Sequence, residues 1–276
     1  MDVAKVSAKD AMALRQRTGL PILECKQAIA DADGDMTKAE AILKERAKGK
    51  MDARTDRVAG EGRVAAFIDG GKAAIIEVRS ETDFTAKNPA FQTMAADIAK
   101  IAAAGPAGEV AATPAITAKI DEVRITTREN ASYARGFAFN GGAFGAYVHH
   151  DGKTGSLVQF SGPVTPEVAK GVCQHIVAHV PAPIAVDEGD MPAAVVAEKR
   201  SEAVKEAEAS GKPPQIAEKM AIGKMRKFFE ETTLLGQNYV VDDSKKVRDL
   251  LPAGIKVLSF VRMPLGGDVI RATAKG

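Results

Sequence analysis

The sequence is poor in the residues on which catalysis and nucleic-acid binding most often depend. Its 276 residues contain no Trp, three Tyr, ten Phe, four His and two Cys. Cys25 and Cys173 lie far apart and neither has a second Cys nearby, which argues against a Cys-x-x-Cys metal site and indicates a reducing compartment. So few aromatic residues also give little surface on which bases could stack.

Positive and negative charges are nearly balanced, and the sequence has no long hydrophobic run. The 38 Lys and Arg residues against 36 Asp and Glu give a formal charge of +2, which provides no bulk attraction to phosphate. No apolar run approaches the roughly 18–20 residues of a membrane helix, and the first residues lack the apolar stretch of a signal peptide. We therefore expect a cytoplasmic globular protein with no direct nucleic-acid or membrane contact.

Residues 1–50 carry three short apolar stripes separated by two tight turns at Gly19 and Gly34. The stripes begin with Ala8, Met12 and Leu14, continue with Ile22, Leu23, Ala28 and Ile29, and end with Met36, Ala39, Ile42 and Leu43. This pattern predicts a compact three-helix module. A module of this size is only marginally stable alone, which favours docking onto another surface. The charged, glycine-containing residues 51–62 are predicted to be a linker.

A hairpin followed by a helix occurs twice in the sequence. The first hairpin is expected over residues 63–78 with its helix beginning at Pro89, and the second over 144–160 with its helix beginning at Pro166. The repetition predicts an α+β fold with two related core subdomains. We place them at residues 63–139, and at 140–190 together with 230–276.

Residues 191–229 are rich in helix-forming and charged side chains and are interrupted at Ser210–Pro214. They predict two antiparallel helices joined by a short loop. The pattern leaves open whether this hairpin is a solvated surface element or contacts a partner.

Candidate catalytic and metal-binding motifs are weak. His175 and His179 have the i, i+4 spacing of helical metal ligands, but Ile176 stands where a zinc protease would need Glu, so partly buried structural histidines are favoured. His149 and His150 are better explained as a polar contact surface. No phosphate loop, dinucleotide fingerprint or nucleophile elbow occurs. We expect no catalytic residue, no metal ligand and no cofactor.

Glu81–Lys87 is predicted to be a loop between the first hairpin and the helix at Pro89. Loops on a rigid scaffold often carry function. Phe84 beside Asp83 is either a folded-back core anchor or a projecting wedge, and residue physics alone favours the core anchor.

Several segments resemble the translation elongation factor Ts family. TGLPILECKQAI at residues 18–29 is similar to its TGAGMMDCKKAL-type motif, and ETDFTAKNPAF at residues 81–91 to its ETDFVA-type signature. HIVAHV, SGKPPQIAEKM and GKMRKFF with LLGQNYV follow in the family's order, at residues 175–180, 210–220 and 223–240. The resemblance covers nearly the whole chain. It implies a UBA-like N-terminal module at residues 1–50, a duplicated core, and a protruding coiled-coil hairpin at residues 191–229.

The resemblance also implies a function, a guanine-nucleotide exchange factor for elongation factor Tu, with no enzymatic activity of its own. By match to the family motif, Thr82, Asp83, Phe84 and Thr85 would displace the partner's Mg²⁺. Arg15, Ile22, Leu23 and His149 would be further partner contacts. The alternative for Ile22 and Leu23 is that they belong to the core of the three-helix module at residues 1–50, which we call the head. Pro21 stands where the family often has Gly, and the short C-terminal tail leaves little for a C-terminal contact.

The expected partner is elongation factor Tu, both GDP-bound and nucleotide-free, in a 1:1 or 2:2 complex. A chaperone-like partner of elongation factor Tu that binds without exchanging nucleotide is the alternative. Because the nucleotide and Mg²⁺ would belong to the partner, we expect this chain to bind no guanine nucleotide by itself.

Overall fold

The computed structural model describes residues 2–52 and 55–275 and contains both helices and strands, in agreement with the α+β class. The helices are α1 Ala8–Thr18, α2 Ile22–Asp31, α3 Met36–Asp52, α4 Asp83–Lys87, α5 Pro89–Ala104, α6 Pro114–Thr127, α7 Pro166–Ala178, α8 Ala193–Ala209 and α9 Pro214–Thr232. The strands are β1 Glu61–Asp69, β2 Lys72–Ser80, β3 Gly108–Glu109, β4 Ala131–Asn140, β5 Ala143–Val148, β6 Thr154–Phe160, β7 Asn238–Tyr239, β8 Asp242–Lys246, β9 Val257–Pro264 and β10 Ile270–Thr273.

By its internal contacts the chain divides into two compact units. The first contains Met1–Arg63, Glu77–Ile98 and Ala111–Arg135, and the second contains Val64–Ile76, Ala99–Val110 and Gly136–Gly276. These boundaries differ from the five segments inferred from sequence, because the units follow spatial packing and each is assembled from separate stretches of chain.

Helices α1, α2 and α3 pack around a small apolar core in the first unit. Leu14, Cys25, Ile29 and Leu43 are buried there together with several alanines. Gly19 ends α1 in the left-handed region at φ 70°, a conformation that glycine adopts without steric cost. The predicted three-helix arrangement of the head is therefore present.

Met12 does not belong to this core, contrary to the predicted first stripe, since 59% of its surface is exposed. The buried face of α1 is instead formed by Ala11 and Leu14, which lie three residues apart. The stripe was misassigned because alanine is a weak marker of a buried face.

The segment predicted as a linker over 51–62 overlaps ordered structure at both ends. Helix α3 continues to Asp52 and strand β1 begins at Glu61, while residues 53 and 54 lie outside the described residues. Ion pairs support the end of α3, with Lys48 Nζ 2.9 Å from Asp121 and Lys50 Nζ 3.3 Å from Glu24. These contacts help to extend α3 into the segment that was predicted to be a linker.

Both predicted hairpins form, and each belongs to a four-stranded sheet. The strand order is β1-β2-β4-β3 in one sheet and β10-β9-β6-β5 in the other. In both sheets the second hairpin strand also pairs with a strand from later in the chain, β4 in one case and β9 in the other. The two sheets therefore share this part of their topology.

In the second unit, side chains from both sheets meet in one apolar cluster. Val64 and Ile75 come from the first sheet, and Leu157 and Val261 from the second. Gly155 lies at this contact, where an added Cβ would stand 2.7 Å from Val64 Cγ1. The close approach of the sheets therefore requires glycine there.

Helices α8 and α9 are joined by a short turn and pack against each other. Ala203 and Ala207 on α8 contact Ala217 and Ala221 on α9 in one buried cluster. Small side chains allow the two helices to lie close together, and Lys224 forms an ion pair with Glu206 across them. Among the helices that the structure describes, none has the length and apolarity needed to cross a membrane.

Candidate partner-binding site

The segment between β2 and α5 is a short helix, not the loop that the sequence suggested. Helix α4 covers Asp83–Lys87 and is capped by Thr82, whose Oγ1 accepts a hydrogen bond from the Thr85 backbone N–H at 3.3 Å. Its other end is fixed by the Asn88 N–H, which donates to the Thr85 carbonyl at 3.0 Å. Local hydrogen bonds thus give residues 81–88, which we call the corner, a defined geometry.

Two carboxylates tie the corner to the residues that follow α6. Glu129 accepts from the Thr82 N–H at 3.1 Å and from the Thr82 hydroxyl at 2.8 Å. Glu81 accepts from the Asn130 N–H at 2.6 Å, and the Asn130 side chain donates to the Arg57 carbonyl at 2.7 Å. The corner is therefore held from outside as well as by its own hydrogen bonds.

Phe84 projects from this rigid corner, so the core-anchor prediction was wrong and the wedge alternative is observed. Its side chain is 82% exposed, whereas Thr85 and Ala86 are buried. The inward positions of the short helix are thus occupied by small side chains, and the large ring points to solvent. Exposure of a whole phenylalanine side chain leaves apolar surface that another protein could cover.

Asp83 lies beside Phe84 at the first helical position of α4. Its carboxylate is about half exposed and lies 2.7 Å from Lys87 Nζ, one helical turn away. An exposed pair of this kind contributes only about 0.3–0.5 kcal/mol, so giving up the contact with Lys87 costs little.

In the head, the predicted contact residues are not equally accessible. Arg15 on α1 is exposed, and Leu23 on α2 is 74% exposed. Ile22 is partly buried and packs against the core of the head. The two alternatives left open by the sequence therefore apply to different residues: Leu23 is a surface residue, and Ile22 belongs largely to the core.

His149 lies after β5 in the turn of the second hairpin, close to another histidine and an aspartate. Its Nδ1 is 3.0 Å from an Asp151 oxygen, and its ring centre is 4.1 Å from that of His150. Burial acts to raise the pKa of Asp151, but the Lys153 N–H and His149 together hold it below its ordinary value. Within residues 2–52 and 55–275, no group of three or more metal-ligating side chains is found.

His175 is a structural histidine, as expected. It is fully buried, and its Nδ1 accepts the Val240 N–H at 3.2 Å while Nε2 lies 2.9 Å from Gln237 Oε1. The Gln237 amide nitrogen already donates to the carbonyls of Pro181 and Glu231, so its oxygen faces the ring and Nε2 carries the proton. Burial lowers the pKa of His175 to about 4.

Two cysteines complete the set of candidates, and both are buried thiols without a disulfide. Burial raises the pKa of Cys25, and that of Cys173 to about 12. Neither thiol has the accessible, low-pKa surroundings of a reactive cysteine.

Glu129 was not identified from sequence. It lies 47 residues from Thr82, and nothing in the pattern around it distinguishes it from other surface glutamates. Only folding brings it to the corner.

Comparison with known proteins shows which family the chain matches. The family profile described as Elongation factor TS matches residues 81–267. An elongation factor Ts from Polynucleobacter asymbioticus is 36% identical over 275 residues, covering 97% of this chain and 92% of that protein. Proteins of the same name from Cupriavidus taiwanensis and Thioalkalivibrio sulfidiphilus are 36% and 35% identical, each covering 97% of this chain and 93% and 94% of their own lengths.

Matches of this extent place the chain among the translation elongation factors. The chain belongs to the elongation factor Ts family.

Proposed function

We propose that this chain is a guanine-nucleotide exchange factor that binds elongation factor Tu and promotes GDP release during translation elongation. The observation that carries the proposal is Phe84, exposed on a corner whose backbone is fixed by Thr82 and Glu129. A fixed apolar wedge can enter a pocket without the ordering cost that a mobile loop would add.

Exchange requires that the chain bind the nucleotide-free partner more tightly than the GDP-bound one. By thermodynamic reciprocity, the same factor then weakens the partner's hold on GDP. Burying the Phe84 ring in a pocket that opens only as nucleotide leaves would supply about 2–3 kcal/mol of this difference. No acid, base or cofactor on this chain is needed for such a mechanism.

Within the corner the four residues of the motif would act differently. Phe84 would fill the pocket, and Asp83, released from Lys87, would disturb the surroundings of the partner's Mg²⁺. Thr82 caps the short helix and Thr85 is buried beneath it, so both would act by holding the wedge in place.

The head and the second hairpin would supply further contacts. Leu23 offers exposed apolar surface and Arg15 an exposed charge, with Ile22 supporting them from the head core. His149, half-buried next to Asp151, would be a contact from the second unit.

We extend the proposal to the organisation of the chain. The head at residues 1–50 would act as a UBA-like docking module, and the linker predicted at residues 51–62 would connect the end of α3 to the start of β1. The core would consist of two related subdomains, at residues 63–139 and at 140–190 with 230–276. Residues 191–229 would form a coiled-coil hairpin. The complex with elongation factor Tu would form in the cytoplasm as a 1:1 or 2:2 assembly.

Stopped-flow release of a fluorescent GDP from elongation factor Tu tests the function. Substoichiometric amounts of this chain should accelerate release, and Phe84→Ala should reduce the acceleration roughly 30- to 100-fold, the equivalent of about 2–3 kcal/mol. Asp83→Ala should reduce it less, because the desolvation of a carboxylate on binding offsets part of what it gains there, whereas burial of an apolar ring has no such cost. Val241→Ala, another exposed apolar position, is the control and should behave as the wild type.

Two outcomes would contradict the proposal. Unchanged release with both Phe84→Ala and Asp83→Ala would remove the corner from the mechanism. Binding of elongation factor Tu without acceleration by the wild-type chain would favour the chaperone-like alternative.

A further inference from the structure

Helix α6 contacts the head, and the residues that follow it contact the corner. Head, α6 and corner all belong to the first compact unit of the chain. Ile125 of α6 packs against the apolar core of the head, and Asp121 Oδ2 lies 2.9 Å from Lys48 Nζ of α3. Glu129, two residues beyond the end of α6, binds Thr82 of the corner. One short stretch of chain therefore joins the two surfaces for which we propose partner contacts.

The attachment of α6 to the head is partly buried. The Asp121 side chain is 14% exposed, and its second oxygen accepts from Arg124 Nη1 at 3.2 Å. The turn between α1 and α2 is also near α6, since a Cβ on Gly19 would lie 3.9 Å from Thr126 Cγ2. Displacement of the head would take one of two cationic partners from a largely buried carboxylate, which is costly, so the ion pair specifies one position of the head.

The path from this attachment to the corner has little freedom. Asp121 and the last residue of α6, Thr127, are separated by about 9 Å of continuous helix. Arg128 ends the helix in the left-handed conformation at φ 61°, and its N–H donates to the Arg124 carbonyl at 2.9 Å. The Glu129 N–H then donates to the Thr127 hydroxyl at 3.4 Å. These contacts fix where the Glu129 carboxylate lies relative to the head.

Two further contacts attach α6 and its end to the elements around the corner. Lys119 Nζ lies 2.9 Å from a carboxylate oxygen of Asp97 on α5, the helix that follows the corner. Asn130 donates its backbone N–H to Glu81 at 2.6 Å, and its side-chain amide donates to the Thr55 carbonyl at 3.1 Å. The chain between the head and β1 is thus held at the corner as well.

From these contacts we propose that α6 is a positioning element, which fixes the distance and orientation between the head and Phe84 so that both meet elongation factor Tu as one rigid surface. Lys48, Asp121 and Ile125 are then positioning residues that act through the placement of the head. The inference rests on the proposed function, because it requires that Leu23 in the head and Phe84 in the corner bind the same partner molecule.

A fixed distance raises the affinity of a pair of contacts. Once one contact is made, the second forms within the same complex, at an effective concentration that depends on the connection between them. A short flexible connection gives an effective concentration in the millimolar range, whereas a rigid connection of matching length also avoids most of the ordering cost. The contribution of α6 to affinity therefore exists only when both contacts are made.

A matched pair of double variants tests this role. Lys48→Ala with Ile125→Ala, which we call the α6 variant, removes an ion pair and an apolar contact between α6 and the head. Lys44→Ala with Ile42→Ala is the control, because Lys44 pairs with Glu40 on the same helix and Ile42 packs against the head core from α3 itself. Circular dichroism should show wild-type helix content in both.

Distances between two spin labels measure the position of the head without the partner. Lys9→Cys on α1 and Thr93→Cys on α5 place labels at exposed positions in the head and next to the corner, while both native thiols are buried. The wild-type background and the control should each give one narrow distance distribution. The α6 variant should give a broad one.

Affinity for nucleotide-free elongation factor Tu tests the consequence for binding. The α6 variant should bind roughly tenfold more weakly than the wild type, and the control should bind as the wild type does. In a chain that also carries Leu23→Asp, which blocks docking of the head, the α6 variant should cause no further loss, because only the corner contact remains. A merely structural defect would weaken binding by the same factor in both backgrounds.

Two results would overturn the positioning role of α6 even in a chain that accelerates GDP release. One is a narrow, unchanged distance distribution in the α6 variant, and the other is an equal loss of affinity with and without Leu23→Asp. A wild-type chain that fails to accelerate release contradicts the proposed function instead, and the spin-label distances would still decide whether α6 holds the head in place.

Discussion

Acidification should destabilise the second unit through His175. The neutral ring accepts the Val240 N–H at Nδ1 and faces Gln237 at Nε2, so a second proton on Nδ1 would meet a backbone N–H instead of an acceptor. Burial is the main cause of its lowered pKa, which is about 4 against an ordinary value of 6.5. The unfolded chain therefore binds this proton before the folded chain does.

The sign and size of the effect follow from these two pKa values. The contribution of His175 to the free energy of unfolding is fully present above about pH 6.5, decreases as the pH falls toward 4, and changes little at lower pH. At about 1.4 kcal/mol per pKa unit, the total loss is about 3 kcal/mol, of which about 2 kcal/mol is lost by pH 5.

Urea unfolding followed by circular dichroism, at about pH 7.5 and about pH 5, measures this loss against a variant that cannot titrate. His175→Gln should be less stable than the wild type at the higher pH, and the difference should shrink by about 2 kcal/mol at the lower pH. His150→Gln, at an exposed position, should keep the wild-type pH dependence. A pH-independent difference, or an NMR titration of His175 near its ordinary pKa, would refute the reasoning.

Three further predictions concern other parts of the fold. Glu129→Ala removes the acceptor of the Thr82 N–H and hydroxyl, so urea unfolding should show a loss of about 1–3 kcal/mol, and an unchanged free energy would contradict the role of this link. Gly62→Ala should cost more than about 2 kcal/mol, because its φ is 145° and a Cβ would lie 2.1 Å from a carbonyl oxygen of β2; Gly60→Ala, with open space around it, should be neutral in the same assay. Burial and a pKa raised to about 12 should keep the Cys173 thiol from reacting with a chromogenic disulfide reagent until the chain unfolds, and rapid reaction of the folded chain would be inconsistent with the structure.

Local sequence patterns were sufficient to predict much of the fold. The hairpins and their helices are encoded by turn glycines and by caps such as Thr165, whose hydroxyl accepts from the helix that begins at Pro166. Such signals act over a few residues and can be read without knowledge of the tertiary structure. The extension of α3 to Asp52 could not be predicted in this way. It is supported by ion pairs such as that of Lys48 with Asp121, which is distant in sequence.

The corner illustrates a different limit. The motif around Phe84 could be recognised, but the direction of its side chain depends on which neighbours fill the inside of α4. Thr85 and Ala86 take those positions, and Glu129 fixes the backbone from the far end of α6. These contacts depend on the tertiary structure. The prediction made from residue properties alone therefore placed the Phe84 ring in the core instead of at the surface.

The fixed geometry of the corner has a kinetic consequence. Because no segment around Phe84 must become ordered before docking, encounter would be limited only by diffusion and orientation, with association rate constants of about 10⁵–10⁷ M⁻¹s⁻¹. Substitutions in the wedge would then shorten the lifetime of the complex and leave its rate of formation nearly unchanged. Removing the hydrogen bonds between Thr82 and Glu129 would instead slow formation of the complex and leave its lifetime nearly unchanged. Only the fraction of chains whose corner is in its binding conformation could then dock.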